Sequence, residues 1–242
     1  MSEYNLDTFV DGLNKLNISL SDNQINQFIK YYEILVEWNS FMNLTAITEW
    51  EDVVSKHFLD SLSLIKVIDN MTDVSYKIID IGTGAGFPGI PLKIAFPNLK
   101  ITLLDSLNKR VKFLNHVIDE LGLSDIEAFH GRAEDFGQNN SFRESYDFVV
   151  SRAVANMTLL SELCIPFIKK DGLFISYKSE KVLEEYNNAK NAIDILGCIF
   201  DRNIEFSLPN TDMYRSLFII KKIKNTPKKY PRKAGVPAKE PL

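Results

Sequence analysis

The chain carries, from residue 78, the sequence Ile78-Ile79-Asp80-Ile81-Gly82-Thr83-Gly84-Ala85-Gly86-Phe87-Pro88-Gly89. The apolar run at its start predicts a buried β-strand. The glycines that follow predict a tight loop in which a ligand comes close to the backbone. A glycine-rich turn without a ligand is the simpler alternative, but four glycines in eight residues favour a ligand site.

The acid at the end of this strand, Asp80, indicates the kind of ligand. A dinucleotide places its pyrophosphate over such a loop, where a carboxylate would repel it. A carboxylate suits an ammonium, and S-adenosylmethionine carries one on its methionine end. We therefore predict a methyltransferase in which Asp80, Gly82, Gly84 and Gly86 bind this cofactor. The G-x-G-x-x-G pattern of nicotinamide and flavin sites also occurs at residues 84–89, but it starts several residues past the strand.

Length and composition exclude several classes of protein. The 242 residues suffice for one substantial domain with an appendage, and 45% hydrophobic with 25% charged residues is usual for a soluble globular protein. A run of about 18 apolar residues, as needed to span a membrane, does not occur, and the polar start is not typical of a secretory signal. The two cysteines and three histidines lack metal-ligand spacing. We expect a cytoplasmic protein without a bound metal, and we expect a monomer.

The charge is distributed unevenly along the chain. From Lys221 to the end there are eight basic residues and one acidic residue, although the whole chain has a net charge of −4. A basic segment of this kind can contact phosphate while the body of the protein stays acidic. Residues 225–242 also hold four of the nine prolines and lack apolar periodicity, so we expect them to be extended or disordered until bound.

Three segments differ in their apolar pattern: a helical N-terminal extension over 1–75, alternating strands and helices over 76–223, and a basic tail over 224–242. In the extension, the stretches Ser21-Asp22-Asn23-Gln24 and Thr48-Glu49-Trp50-Glu51 are typical of capping boxes. The predicted strands of the middle segment are 77–81, 100–105, 126–130, 146–151 and 172–178. The predicted helices are 88–95, 107–121, 156–169 and 180–196.

Strands separated by helices predict a parallel sheet with right-handed crossovers. Two further runs, 198–207 and 213–223, have a short connection and predict an antiparallel hairpin. Parallel strands followed by a hairpin are typical of the α/β, Rossmann-like sheet of class I methyltransferases. A nicotinamide-binding fold would more often end on another parallel strand.

In an open parallel sheet the ligand lies beyond the carboxyl ends of the strands. At the second strand end, Asp105 can accept hydrogen bonds from both hydroxyls of a ribose, with Ser106 beside it in the loop. Alternatively, Asp105 caps the helix that follows. At the third strand end, Ala133 and Glu134 place a small residue beside a polar one, which suits an adenine. The alternative there is an ordinary helix start with acids in its first turn.

The fourth strand leads into Ser151-Arg152-Ala153, where a methyltransferase holds its acceptor. Neither the N-P-P-Y-like loop of amino-group methylation nor the cysteine required for carbon methylation of pyrimidines occurs there. An acceptor with an exposed lone pair, such as N7 of guanine, needs no general base. Arg152 then positions guanine or phosphate, since a guanidinium does not deprotonate. A surface salt bridge is the alternative role for this arginine.

Other polar residues have ordinary interpretations on periodicity alone. His57 and Asp60 share one helical face, which is typical of a capping or core hydrogen bond. Lys109, Arg110 and Arg215 would by default be solvated surface charges.

The order of several motifs makes the chain similar to a known family. They are Trp38-Asn39 with Asn43-Leu44-Thr45, Lys56-His57-Phe58-Leu59-Asp60-Ser61, the stretch from Asp80 to Gly89, Leu104-Asp105-Ser106-Leu107-Asn108-Lys109-Arg110, Arg132-Ala133-Glu134 and Ser151-Arg152-Ala153. Together they cover residues 25 to 220 or so and resemble the glucose-inhibited division protein B family, the small-subunit ribosomal RNA guanine-N7 methyltransferases. The tail from Lys224 to Lys233 is similar to that of Gram-positive members.

The resemblance implies a cofactor, a substrate and their contacts. The acceptor would be one guanine in 16S ribosomal RNA, either naked or in an assembling small subunit. The implied contacts with S-adenosylmethionine are Gly82, Phe87, Ala133, Glu134 and Arg152. The residues implied around the RNA pocket are Lys109, Arg110, Arg132 and Arg215, and we add His57 to this group.

We expect the reaction to be a direct displacement at the methyl carbon, in which the protein mainly supplies alignment and a dry pocket. Two other classes stay open, because fold does not determine function. One is a non-catalytic cofactor- or RNA-binding module. The other is a nicotinamide-dependent oxidoreductase, which Asp80 and the terminal hairpin disfavour.

Overall fold

A computed structural model describes residues 4–152, 155–179 and 182–242. For residues 182 and 183 it describes the backbone but not the side chains. In this part of the chain, seven strands form one sheet in the order β3-β2-β1-β4-β5-β7-β6. The strands are β1 Lys77–Ile81, β2 Lys100–Asp105, β3 Ile126–His130, β4 Tyr146–Ser151, β5 Ile168–Lys178, β6 Cys198–Ser207 and β7 Tyr214–Lys222. Strands β1 to β5 pair in parallel, and β7 runs antiparallel to both β5 and β6. The predicted Rossmann-like methyltransferase sheet is therefore confirmed.

The register of the sheet brings the predicted strand ends to one edge. Asp80 in β1 is level with Leu103 in β2 and with Val150 in β4. The chain order reverses between β1 and β4, because β1 continues through a helix to β2 on one side while β4 lies on the other. Ligands of open α/β sheets bind in the crevice at such a point. The structure thus gathers the residues after β1, β2 and β4 at one crevice.

Helices cover the sheet between its strands, and their bounds mostly match the prediction, except that the helix at residues 133–138 was considered only as the alternative at the third strand end. They are α5 Gly89–Ala95, α6 Asn108–Glu120, α7 Ala133–Gln138, α8 Met157–Cys164 and α9 Val182–Ile195. The predicted start of α9 at residue 180 lies outside the described residues.

One predicted helix is too long. The helix predicted over 156–169 ends at Cys164 and continues as a 3-10 turn over Ile165–Phe167, after which β5 begins at once. The predicted start of this strand, at residue 172, is therefore too late. The apolar run Ile165-Pro166-Phe167-Ile168 fits a buried helix end and a buried strand equally well, so periodicity cannot place the boundary.

The N-terminal extension is helical, as predicted. Its elements are α1 Asp7–Lys15, α2 Asp22–Met42, α3 Trp50–Val53, a π-helical turn Val54–Leu59, α4 Asp60–Leu62 and a 3-10 turn Ser63–Lys66. The capping box of α2 is confirmed, because Ser21 N donates to Gln24 Oε1 at 2.9 Å and Gln24 N donates to Ser21 Oγ at 3.3 Å. The second capping box is wrong: α3 follows Glu49, which makes no side-chain cap.

The extension packs directly against the glycine loop. Phe9 and Phe28 contact Phe58, whose ring centroid lies 5.6 Å from that of Tyr31. The Tyr31 hydroxyl donates to the carbonyl of Ala85 inside the loop. One hydrophobic cluster therefore runs from the N-terminal helices into the sheet.

The tail is packed, so the expectation that residues 225–242 stay extended or disordered is wrong. Tyr230 is buried, and its carbonyl accepts a hydrogen bond of 2.7 Å from Arg143. The buried carboxylate of Glu162 accepts from the Arg232 backbone at 2.8 Å and from its Nε at 2.9 Å. A short helix, α10 Val236–Lys239, follows. Hydrogen bonds and an ion pair with residues far away in the chain hold the tail in place. The apolar periodicity of a sequence cannot reveal such contacts.

No helix in the described ranges is long and apolar enough to cross a membrane.

Candidate active site at the carboxyl ends of the strands

A cavity of about 1010 Å³ opens at this crevice. It is bounded by the connector after α2, the π-helical turn, the glycine loop, the ends of β4 and β5, and the start of β7. Its polar lining residues include Thr45, Lys56, His57, Asp60, Thr83, Arg110, Arg152, Asn156, Tyr177, Lys178, Glu185 and Arg215.

The glycine loop has the backbone geometry that its sequence predicts. Gly82, Gly84 and Gly86 all have positive φ, at 70°, 63° and 95°, a conformation that side chains with a Cβ rarely adopt. A Cβ on Gly86 would lie 2.5 Å from Ile90 Cδ1, whereas a Cβ on Gly84 would meet nothing within 4 Å. Gly82 and Gly84 line the cavity, so open space lies where the sequence predicts a ligand. Gly86 serves the packing of the loop against Tyr31 and Ile90.

Asp80 lies beneath this loop and is fully buried. Its Oδ2 accepts from Thr83 Oγ1 at 2.7 Å and from Gly89 N at 3.0 Å, so the carboxylate ties the loop to the start of α5. Oδ1 is buried and has no hydrogen-bond partner among the described residues. Burial raises the pKa of Asp80 to about 6, against the opposing effect of its two hydrogen bonds. A buried acceptor without a donor fits a ligand that brings an ammonium, and the contact itself stays a prediction.

We expect Asp80→Asn to weaken binding of S-adenosylmethionine more than Asp105→Asn does. A hydrogen bond between charged groups contributes about 1.5–3 kcal/mol, against about 1 kcal/mol for neutral partners. Calorimetric titration should show wild-type affinity falling as the pH drops from 7 to 5, because Asp80 then takes up a proton. The ligand's α-amino group, with a pKa of about 8, stays charged over this range.

The matched measurement is the Asp80→Asn variant, whose affinity should be flat between pH 5 and 7. Equal losses in the two variants, or tighter binding of a nicotinamide nucleotide by Asp80→Asn, would contradict the assignment.

Asp105 is buried at the end of β2 and holds the same loop from the other side. It accepts from Gly84 N at 3.0 Å, from Leu107 N at 2.9 Å and from Arg110 at 3.3 Å. The bond to Leu107 lies before the helix, whose N-cap is Leu107 and has no side-chain cap, so the helix-cap role considered as the alternative to ribose binding is wrong. The ribose role stays a prediction for Asp105, as does the cofactor contact of Ser106, which is exposed.

The third strand end lies beside the main cavity and against the tail. Glu134 is buried, and its Oε1 accepts from the backbone of Gly235 at 3.0 Å. Ala133 is half-buried and Arg132 is exposed. None of these three residues lines the main cavity. The adenine contacts of Ala133 and Glu134 and the RNA contact of Arg132 stay predictions. What the structure shows is the hydrogen bond between Glu134 and the tail.

Arg152 lies at the centre of the cavity's polar wall. It donates to Asp60 Oδ2 at 2.9 Å and to the carbonyl of Lys56 at 3.0 Å, and it meets His57 Nδ1 at 3.1 Å. Its guanidinium carbon lies 5.0 Å from the ring centroid of Phe87, a cation–π distance. The π-helical turn and the start of α4 thus hold this arginine, which directly follows β4, beside the glycine loop.

His57 is a neutral member of this cluster. Burial, and next the charge of Arg152, lower its pKa to about 3. Arg152 can only donate, so Nδ1 accepts and Nε2 carries the proton that reaches Thr45 Oγ1 at 3.0 Å. The ring stacks on Phe87 with centroids 4.5 Å apart. The hydrogen-bonded role considered in the sequence is therefore present, and His57 offers RNA no positive charge.

Asp60 is a residue of the site to which the sequence assigned no specific role. Its carboxylate is 4% exposed and lies between Arg152 and Arg215, whose Nε is 3.4 Å from Oδ1. The Arg215 contact is an ion pair without hydrogen-bond geometry. The helical spacing of His57 and Asp60 was the signal available in the sequence. It could not indicate the two arginines, because one follows β4 and the other lies in β7, both distant from Asp60 along the chain. Arg152, which the sequence places at the acceptor, and Arg215, which it places by default on the surface, thus both contact the buried carboxylate of Asp60.

The other basic residues expected around the pocket lie apart from this cluster. Arg110 lines the cavity and pairs with Asp105, whereas Lys109 is exposed and donates to the carbonyl of Met42 at 3.3 Å. Among lining residues the sequence reasoning missed Thr45, Asn156, Tyr177, Lys178 and Glu185. The end of β5 was the one signal that could have indicated Tyr177 and Lys178. Ala153, from the motif after β4, lies outside the described residues.

Comparison with known proteins shows which family the sequence of this chain matches. Residues 24–210 match the family model GidB, described as rRNA small subunit methyltransferase G. A protein named ribosomal RNA small subunit methyltransferase G, from Lachnoclostridium phytofermentans, is 57% identical over 235 residues, covering 97% of this chain and 96% of the relative. One from Lactococcus lactis subsp. lactis is 52% identical over 236 residues, covering 98% of each chain.

Solved structures with low identity share the fold. The [4+2]-cyclase SpnF has a TM-score of 0.57 at 12% identity and covers 85% of this chain and 97% of its own. The YcgJ protein from Bacillus subtilis has a TM-score of 0.52 at 13% identity, covering 70% of this chain and 100% of its own. A cyclase on this fold shows that the architecture alone does not determine the reaction. The family model and the relatives go further, and by them this chain belongs to the GidB family of rRNA small subunit methyltransferases.

Proposed function

We propose that the protein transfers a methyl group from S-adenosylmethionine to N7 of one guanine in 16S ribosomal RNA. The observation that carries the proposal is the position of Arg152, which Asp60 and His57 hold over Phe87 beside an open glycine loop. Membership of the family, and the printed names of the relatives, support the substrate class.

The residues around the loop fit the cofactor. Gly82 and Gly84 leave their backbone open to the cavity, and Asp80 offers a buried carboxylate oxygen that lacks a donor among the described residues. Bound S-adenosylmethionine would supply an electrophilic methyl group on its sulfonium. We propose Phe87 and Arg152 as the residues that flank the methyl group, and Asp105, Ser106, Ala133 and Glu134 as the residues of the nucleoside side.

The protein groups near the acceptor support a displacement without a base. His57 has both ring nitrogens engaged and a pKa far below neutral. Cys164 is buried, and burial raises the pKa of its thiol well above the usual value, so it is no thiolate nucleophile. N7 of guanine already exposes a lone pair. Arg152 then aligns the base or an adjacent phosphate, while Phe87 and Tyr177 exclude water.

The three sequence segments would divide this work. Segment 1–75 supplies the wall that holds Arg152, segment 76–223 binds the cofactor, and segment 224–242 contacts RNA. We propose that the enzyme acts in the cytoplasm as a monomer and without a metal. Arg110, Arg215 and Lys56 at the cavity, with Lys109 and Arg132 outside it, would face phosphate.

The RNA role of the tail can be tested without removing it. Lys228 and Lys233 are exposed in the packed tail. We expect Lys228→Gln/Lys233→Gln to weaken RNA binding and to lower the salt dependence of log K by about 0.7 for each lost phosphate contact. Filter binding between low and moderate salt measures the slope. The control is Lys100→Gln/Lys170→Gln, two exposed lysines near the amino ends of β2 and β5, which are the strand ends away from the cavity. Equal slopes in both variants would remove the tail from the interface.

The function itself is tested with labelled S-adenosylmethionine. The protein is incubated with naked 16S ribosomal RNA and with small subunits that lack the modification, and the labelled nucleotide is mapped. Label on N7 of a single guanine supports the proposal. Cofactor binding without label in either RNA form would indicate the non-catalytic module. Reduction of a nicotinamide cofactor would indicate the oxidoreductase.

A further inference from the structure

An ion pair between a buried lysine and a partly exposed glutamate borders the cavity where β5 ends. Lys178, the last residue of β5, has a side chain that is 8% exposed, and its Nζ lies 2.7 Å from Oε2 of Glu185 in α9. Nζ also donates to the carbonyl of Ala155 at 2.9 Å, in the segment that follows Arg152. Both charged side chains line the same cavity as Phe87 and Arg152. The proposed cofactor and alignment roles use neither of them.

The pair has hydrogen-bonding capacity beyond its own contact. An ammonium has three donors, and Lys178 directs two of them at Ala155 and Glu185. The ion pair uses Oε2 of Glu185, and a carboxylate has a second oxygen and several lone pairs. Glu185 is 32% exposed, so its carboxylate is accessible from the cavity. A donor therefore lies beside an acceptor at one wall.

We propose that Lys178 and Glu185 recognise the Watson–Crick edge of the acceptor guanine. Lys178 donates to O6, and the Glu185 carboxylate accepts from N1–H and from the 2-amino group. This inference rests on the proposed function and adds the residues that select the base.

The chemistry of the two purines supports the assignment. Guanine offers an acceptor followed by two donors along this edge, which is the complement of a donor beside a carboxylate. Adenine offers a donor at N6 and an acceptor at N1. Its N6 donor would face the Lys178 ammonium, which is also a donor, and its N1 acceptor would face the Glu185 carboxylate, which is also an acceptor. Enzymes that modify a base read the flipped base by its Watson–Crick edge in this way. N7 lies next to O6 on the neighbouring Hoogsteen edge, which these contacts leave free to face the methyl group.

The test is a cycle between a protein variant and a base analogue. Inosine keeps O6, N1–H and N7 of guanine but lacks the 2-amino group. The mapped guanine is replaced by inosine in the RNA form that the wild-type enzyme methylates. We expect wild-type kcat/KM to fall about tenfold with inosine, the loss typical of a hydrogen bond to a charged group. In Glu185→Ala, transfer to guanine should be slower and the guanine-to-inosine ratio should fall to near one.

Controls separate recognition from folding. Glu184→Ala removes an exposed carboxylate one residue earlier on α9 and should keep the wild-type ratio. Lys178→Met is the second variant, and because Lys178 is buried its fold is checked by thermal unfolding with and without S-adenosylmethionine. A folded Lys178→Met enzyme should show an increased KM for guanine RNA.

The outcomes distinguish this inference from the function on which it rests. No transfer to guanine by the wild-type enzyme would overturn the proposed function. Transfer to guanine with a wild-type ratio near one, or with an unchanged ratio in Glu185→Ala, would overturn the inference and leave the function intact.

Discussion

Arg152→Ala should lower the rate of methyl transfer to ribosomal RNA by about 100-fold or more, because alignment is the main service that the protein provides. The guanidinium donates to Asp60, to Lys56 and to His57, and lies over Phe87, so its position is determined from four directions. A shift of about 1 Å in a reacting group can cost two orders of magnitude. Single-turnover methylation with saturating S-adenosylmethionine measures the effect on the chemical step.

The variant should still fold, with reduced stability. Asp60 is buried and loses one partner, but Arg215 remains 3.4 Å away. Circular dichroism and calorimetric binding of S-adenosylmethionine check the fold, and some loss of cofactor affinity is expected because Arg152 borders the glycine loop.

Arg152→Lys is the conservative comparison. An ammonium keeps the charge but cannot donate to Asp60, Lys56 and His57 in the planar geometry of a guanidinium. We expect it to recover little activity. Near-normal turnover by the lysine variant would show that charge alone suffices, and near-normal turnover by Arg152→Ala would place the acceptor elsewhere.

Arg232→Ala should lower the free energy of unfolding by about 3–5 kcal/mol, the usual cost of leaving one partner of a buried ion pair alone. The side chain of Glu162 is 1% exposed and takes three charged contacts from the arginine, at 2.9, 3.1 and 2.5 Å. Equilibrium unfolding in urea measures the change. A chain truncated after Lys224 should lose more, since the truncation also removes buried Tyr230 and the partner of Glu134.

Two variants define the size of this effect. Arg202→Ala breaks an exposed pair with Asp201 and should change stability by no more than about 1 kcal/mol. The double variant Arg232→Met/Glu162→Leu removes both charges and should regain much of the loss. If Arg232→Ala and Arg202→Ala are equally stable, the tail is not anchored by Glu162.

The glycine stretch and the strand ends can be interpreted without coordinates, because their information is local. Positive φ at Gly82, Gly84 and Gly86 follows from the residue type, and an acid after an apolar run marks a strand end. The alternation of strands and helices leads to a parallel sheet, and such a sheet collects its carboxyl ends at one edge. These local signals are enough to predict the fold and to favour a methyltransferase over a nicotinamide-dependent enzyme.

The tail and Asp80 show where local signals end. The proline-rich tail is predicted to be disordered, yet Arg143 binds Tyr230 from 87 residues away and Glu162 binds Arg232 from 70 residues away. The sequence predicts that Asp80 faces a ligand directly, and the structure shows that it first holds Thr83 and Gly89. A sequence shows which residues carry charge, but a partner distant along the chain is found only when the backbone closes the distance.

The sequence by itself determined the sheet, the glycine loop and the position of Arg152 at a strand end, because each depends on near neighbours along the chain. Only the tertiary structure decided that Arg152 and Arg215 share Asp60, that His57 is neutral, and that Lys178 and Glu185 line the same cavity. Asp60 and Arg152 are 92 residues apart, and their contact requires the N-terminal helices to pack against the end of β4. The state of a buried charge depends on burial and on partners in space, and neither is a property of a residue's place in the sequence.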